Sequence, residues 1–333
     1  MRANLWLRTA SRVLVRVAQF QATAFYELEK SAKRIPWAQF VSPGQDVEFR
    51  VTARKSKLYH SDAIAERLQK AVGSGLRAGK GPRPTARSPQ LFVVRVFHDE
   101  FTISADTSGE LLHMRGYRQA AGKAPLRETL AAALLLAADW DGSRPLLDPF
   151  CGSGTIPIEG ALIARRIAPG LHRRFAFMEW PSFDAKVWRT HLDEAKAGVR
   201  ASSPVPILGS DRDAGAIASS RANAARAGVA ADVDFQERPI SAIQPPSTPG
   251  LIASNPPYGV RVGERKALRD LYARFGQVIR ERCPGWRAAF YSSDVRLAHR
   301  IGLPTNELFR TTNGGIKVAA MVVETPKAGL EQA

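Results

Sequence analysis

From residue 145 onward, short apolar runs alternate with longer stretches of helical periodicity, and few folds accommodate that rhythm. The runs lie at Pro145–Asp148, Pro206–Ser210, Val233–Gln236, Leu251–Ser254 and Ala288–Ser292. Near-continuous apolar strands separated by helices form a parallel sheet covered on both faces, because parallel neighbours need a crossover and the crossover helix packs on the sheet. The sequence therefore predicts an α/β, doubly wound sheet here. Two further runs, Glu307–Thr311 and Ile316–Glu324 around Asn313-Gly314-Gly315, read as a hairpin closing it. Open sheets of this kind bind ligands beyond the carboxyl ends of their strands. Residues just after each run are thus the first candidates for a site.

After the first run comes Asp148-Pro149-Phe150-Cys151-Gly152-Ser153-Gly154-Thr155, leading into a helix with Pro157 in its first turn. Glycine lets backbone approach a ligand closely, so Gly152 and Gly154 open a slot at the strand end. The dinucleotide pattern Gly-x-Gly-x-x-Gly is broken by proline at position 157, and no Gly-Lys-Ser/Thr follows, which argues against nicotinamide, flavin and P-loop nucleotides. After the second run, Asp211 is placed to accept hydrogen bonds from ribose hydroxyls, and Asp213 to cap the next helix, Ala214–Ala227. The gap between Asp148 and Asp211 is filled by an insertion over about residues 170–204 carrying Trp180 and Trp188, which are expected to pack on the sheet.

The fourth run ends in Ser254-Asn255-Pro256-Pro257-Tyr258. Two prolines stiffen the turn and leave their carbonyls able to accept, Asn255 adds a side-chain acceptor, and Tyr258 adds a ring. Two acceptors beside a stacking face suit an exocyclic amino group on a planar base.

The first half reads differently. An amphipathic strand, Arg12–Val17, and a helix over Ala22–Lys33 precede a strand at Val47–Thr52, a helix at Ser61–Val72, and a hairpin of Leu91–Phe97 and Glu100–Ala105 across His98-Asp99. This is an α+β piece. The formal charge of +17 favours a polyanionic partner. Arg54, Lys55 and Lys57, with Arg77, Lys80, Arg83 and Arg87 in a Gly/Pro-rich stretch, are the expected phosphate contacts. Cys151 and Cys283 form no metal-binding pattern, so reduced thiols and no metal are expected. No apolar run of about 18 residues or signal-like start occurs, and the reading is a cytoplasmic monomer with no membrane partner.

The pairing of Asp148–Thr155 with Asn255-Pro256-Pro257-Tyr258 resembles the class I S-adenosylmethionine-dependent methyltransferases that modify exocyclic amines. With Asp106–Arg118 and Ala124–Ala133, nearly the whole chain is similar to the THUMP-containing RNA guanine-N2 methyltransferases. That resemblance implies a partial ferredoxin-like domain over 1–45, a THUMP RNA-binding domain over 46–107, a linker over 108–126, a Rossmann-like catalytic domain over 127–326 and a tail over 327–333. It implies S-adenosylmethionine as cofactor, held by Thr129, Asp148, Pro149, Phe150, Cys151, Gly152, Ser153, Gly154, Thr155, Asp211 and Glu237. Asn255, Pro256, Pro257 and Tyr258 become the catalytic motif. The implied product is N2-methylguanosine in large-subunit rRNA, with tRNA as the alternative. Protein glutamine or DNA adenine methylation, and a non-enzymatic RNA-binding assembly factor, are the competing readings.

Overall fold

A computed structural model describes residues 1–75, 88–118, 126–258 and 265–326. The chain forms two compact units, one of residues 1–112 with 172–194 and the other of 113–171 with 195–333.

The first unit starts with a helix the sequence did not announce, α1 (Arg2–Trp6). Five residues cannot hold a helix by themselves. Tertiary bonds do it instead: Asn4 donates to Thr107 Oγ1 and accepts from Ser108 Oγ, both at 2.7 Å. Strand β1 (Leu14–Gln21) is followed by α2 (Phe25–Ala32), β2 (Val47–Arg54), α3 (Ser61–Gly75), β3 (Gln90–Phe97) and β4 (Glu100–Asp106). The strands form one sheet in the order β1-β4-β3-β2. β2 and β3 are parallel, which requires the α3 crossover, and the other pairs are antiparallel. Ile64, Leu68, Ala71 and Val72 make the buried stripe of α3, and they join Phe92, Val94, Phe101 and Ile103 of the sheet in one core. His98 and Asp99 both have positive φ, 50° and 63°, as a two-residue turn between twisted strands demands.

Residues 172–194 of the insertion also belong to this unit. Trp180 packs edge-on against Phe40 and donates to Gln90 Oε1 at 2.7 Å, while Trp188 packs on Phe175 and Phe177. Packing of both tryptophans was expected, but on the parallel sheet. No local pattern shows which sheet an insertion will meet.

In the second unit, α4 (Glu128–Ala137) leads to β5 (Leu146–Asp148), α5 (Thr155–Ala164), α6 (Ala185–Ala197, begun in the first unit), β6 (Ile207–Asp211), α7 (Ala214–Arg226), β7 (Asp234–Glu237) and β8 (Leu251–Ser254). Then come α8 (Arg265–Arg282), β9 (Arg287–Ser292), α9 (Val295–Ala298) and the hairpin β10 (Asn306–Asn313) and β11 (Ile316–Glu324). The seven strands run β10-β11-β9-β8-β5-β6-β7, with β9, β8, β5, β6 and β7 parallel and the hairpin antiparallel. Alternate residues serve opposite faces. Leu146, Leu251, Ala253 and Tyr291 enter the core shared with α4, α5 and α7, while Leu147, Ile252, Ala288 and Phe290 enter the core shared with α8 and α9. Both faces are thus buried, and ligand access is left to the strand ends.

Candidate active site

The order β8-β5-β6-β7 sets four strand ends side by side: Ser254, Asp148, Asp211 and Glu237. Neighbouring strands are about 4.8 Å apart. Motifs separated by scores of residues in sequence therefore share one edge.

The glycine loop is braced from below and behind. Cys151 N–H donates to Ser210 O at 3.0 Å, and Gly152 N–H to the Asp211 carboxylate at 3.0 Å. From α7, Ser220 Oγ donates to Gly152 O at 2.7 Å and Asn223 Nδ2 to Ser153 O at 2.9 Å. Sequence reading missed both braces; two polar residues one turn apart on an alanine-rich helix were the available signal, and the structure shows both fully buried. The two glycines answer different needs. Gly152, at φ +53°, has no atom of the described residues within 4 Å of where a Cβ would stand, which leaves space above it among them. Gly154, at φ +82°, would place a Cβ 2.9 Å from Phe235 and 3.0 Å from Ser220. Gly154→Ala is therefore expected to destabilise the fold by about 1–3 kcal/mol through overpacking and to weaken nucleoside binding, read by chemical denaturation and calorimetry. An unchanged denaturation midpoint refutes this.

Asp148 sits beneath the loop. Only 1% exposed, it accepts from Ser254 Oγ at 2.6 Å and from Phe150 N–H at 3.1 Å. Burial, with a smaller push from Asp211, raises its carboxyl to about 7. The Ser254 bond couples the end of β5 to the start of Asn255–Tyr258, a direct link between two motifs that the sequence paired only by resemblance. Pro149 and Thr155 are buried, and Phe150 packs edge-on against Phe275, so its ring serves the core. Burial pushes the Cys151 thiol well above its usual range, which removes it as a nucleophile. Thr129 is buried in the first turn of α4. Asp211 also accepts from Asp213 N–H at 3.1 Å, and Asp213 caps α7 through Gly215 N–H at 2.8 Å, as expected. Glu237 is exposed at the edge strand, in register with Asp211.

At the end of β8, the Asn255 side-chain oxygen is buried and has no hydrogen-bond partner among the described residues. Buried acceptors are ordinarily paired, so an unpaired one at the strand end next to Asp148 makes Asn255 a candidate ligand contact. Pro256 is buried and Pro257 exposed. Tyr258 corrects the expectation of an open stacking ring: it is 8% exposed and packed in the core. Its hydroxyl takes bonds from the Asn313 and Asn255 side chains, Asn313 Nδ2 standing at 3.1 Å, and its carbonyl accepts from Ser293 Oγ at 2.9 Å. Burial keeps the phenol neutral. Asn313, read from sequence as a turn residue, is thus part of the motif's support.

In the first unit, Arg54, Lys55 and Lys57 are exposed where β2 ends. Arg77, Lys80, Arg83 and Arg87 lie outside the described residues.

Comparison with known proteins matches residues 115–321 to the RMKL-like methyltransferase domain of UPF0020 and residues 22–106 to the THUMP domain. A putative RNA methyltransferase of Synechocystis, slr0064, is 37% identical over 97% of this chain and 85% of its own length. The ribosomal RNA large subunit methyltransferase K/L of Syntrophotalea carbinolica is 38% identical over 95% of this chain, which spans only 46% of that protein. Among solved structures, SMU.472, a putative methyltransferase complexed with SAH, superposes with a TM-score of 0.84 at 30% identity, covering 99% of this chain and 88% of that one.

Proposed function

The chain belongs to the UPF0020 family of RMKL-like methyltransferases, with a THUMP domain ahead of the catalytic one, and on that footing we propose that it is an S-adenosylmethionine-dependent RNA methyltransferase that forms N2-methylguanosine in large-subunit rRNA. The observation that carries the amine chemistry is the buried, unpartnered oxygen of Asn255.

The residues present fit the cofactor. Gly152 leaves room for it, Asp211 offers a carboxylate to ribose hydroxyls, and Asp148 sets a buried negative charge under the loop when ionised. S-adenosylmethionine supplies a methyl group made electrophilic by its sulfonium. Asn255 and the Pro256 carbonyl accept the two N–H bonds of the target amine and turn its lone pair toward that methyl. A guanine N2 lone pair is delocalised into the ring, so orientation is the main contribution these residues make, at most about 7–11 kcal/mol. Pro256 and Pro257 keep the acceptors rigid. Tyr258, held by Asn313 and Ser293, fixes the wall behind them. No residue is needed as a dedicated base, because an alkylated aryl ammonium gives its proton to water.

The choice of guanine N2 is supported by the Asp106–Arg118 and Ala124–Ala133 segments, and the choice of large-subunit rRNA by the K/L relatives. The test is mass spectrometry of nucleosides from rRNA and tRNA of a deletion strain. Loss of N2-methylguanosine from large-subunit rRNA is expected. Loss from tRNA instead moves the substrate, and loss of N6-methyladenosine alone overturns the choice of guanine N2.

A further inference from the structure

The three most exposed large apolar side chains among the described residues are all aromatic: Tyr26 at 71%, Tyr59 at 63% and Phe97 at 54%. All three stand at one end of the four-stranded sheet of the first unit. Tyr26 follows the end of β1, Tyr59 follows the end of β2, and Phe97 closes β3 before the turn into β4. A single residue ties that end together. The carbonyl of Asp99 accepts from Ala22 N–H at 3.0 Å, its carboxylate from Lys57 N–H at 2.6 Å, and its own N–H donates to Ser56 Oγ at 3.0 Å. The three connections leaving the sheet are thereby held against one another.

The same end carries exposed cations. Arg54 is the register partner of Phe97, and Lys55 and Lys57 follow it toward Tyr59. Nearby acids are engaged: Glu100, the register partner of Phe97, accepts from Gln19 Nε2 at 2.7 Å, and Glu27 accepts from Thr23 and Ala24 N–H at the start of α2 and from the Tyr26 hydroxyl. That bond holds one edge of the Tyr26 ring and leaves its faces open.

Each of Tyr59 and Phe97 also has a neighbouring histidine ring against it, His60 at 4.1 Å and His98 at 4.2 Å. Exposed aromatic rings beside cations are the chemistry of single-stranded nucleic acid: bases stack on rings and phosphates meet Lys and Arg. A duplex offers phosphates but hides its base faces, so the rings would gain nothing from it. We propose that this end of the sheet, Tyr26, Tyr59 and Phe97 with Arg54, Lys55 and Lys57, is a stacking platform for unpaired nucleotides of the RNA substrate. The proposal rests on the RNA reading above and adds to it the strandedness of what the first unit grips.

The experiment uses the full chain without methyl donor and follows fluorescence anisotropy of an unstructured fluorescein-labelled 12-mer RNA and of the same 12-mer as a duplex, at several salt concentrations. The parent is expected to bind the single strand more tightly. Each Tyr26→Ala, Tyr59→Ala or Phe97→Ala substitution is expected to cost about tenfold in single-strand affinity with an unchanged salt slope. Lys57→Ala instead flattens the slope by about 0.7 per lost phosphate contact. These side chains are exposed, and matching thermal melts confirm that the variants fold. A triple aromatic variant that binds the single strand like the parent, or a parent that prefers duplex, overturns the platform and leaves RNA methylation standing. A parent that binds neither RNA overturns both.

Discussion

Replacing Asn255 with alanine is expected to lower methyl transfer to RNA by about 100- to 1,000-fold, with the loss in kcat and with cofactor affinity nearly unchanged. The reason is local. Among the described residues the Asn255 oxygen accepts no hydrogen bond, so removing it is expected to strip the target amine of its acceptor without unpairing an internal donor. The cofactor slot is built from other elements, the β5 loop, Asp211 and the α7 braces, none of which uses that oxygen. Tyr258 keeps its Asn313 and Ser293 bonds in the variant, so the turn retains its support. Tritiated S-adenosylmethionine with rRNA measures transfer, and calorimetry measures cofactor binding. Methyl transfer at the parent rate removes Asn255 from the mechanism. An equal loss in cofactor affinity shows instead that the substitution collapsed the slot.

Asp148→Asn is expected to stabilise the protein at alkaline pH and to remove a pH dependence from cofactor binding. An aspartate in the unfolded chain titrates near 3.9, and in the fold burial moves Asp148 to about 7. Because the folded pKa is the higher one, the folded state holds more protons between those values. The stabilising contribution of the neutral carboxyl is complete below about pH 4 and is lost as pH rises through about 7. Above that, the buried charge costs about 4 kcal/mol relative to the neutral form. Asparagine carries no such charge and still offers an oxygen to Ser254 and Phe150. Urea denaturation should show parent and variant alike at pH 4 and the variant more stable at pH 8.

Cofactor binding should run the other way. A sulfonium and an ammonium in the slot favour the ionised carboxylate, so affinity of the parent is expected to rise by up to about tenfold per pH unit from 5 to 7 and then level off. In Asp148→Asn the profile is flat and the affinity lower. Calorimetry across pH 5 to 8.5 decides, and a flat parent profile rejects the linkage. A parent profile that rises with pH would show the buried carboxyl giving up stability where a cationic ligand restores it.

Much of this was legible along the chain. Strand ends at Asp148, Asp211 and Ser254 follow from short apolar runs bounded by Gly, Asp and Pro. The closing hairpin and the His98-Asp99 turn follow from alternation and turn chemistry. What escaped depends on distant partners. The helix Arg2–Trp6 is too short to have a pattern and is held by Thr107 and Ser108 from the far end of its unit. Ser220 and Asn223 brace a loop about 70 residues away. Tyr258, beside two prolines in a polar turn, read as an open ring, but a hairpin more than 50 residues later buries it.

By itself the sequence determined the alternating sheet, the two strand-end motifs and the basic first half, because periodicity, glycine and proline act on the residues that carry them and their nearest neighbours. Only the tertiary structure decided that Asp148 and Ser254 share a hydrogen bond, that the Asn255 oxygen is buried unpaired, and that three aromatics and three cations gather at one sheet end. Those facts depend on which strands lie side by side and on what burial does to a charge or an unpaired acceptor, and both arise only when distant segments pack together.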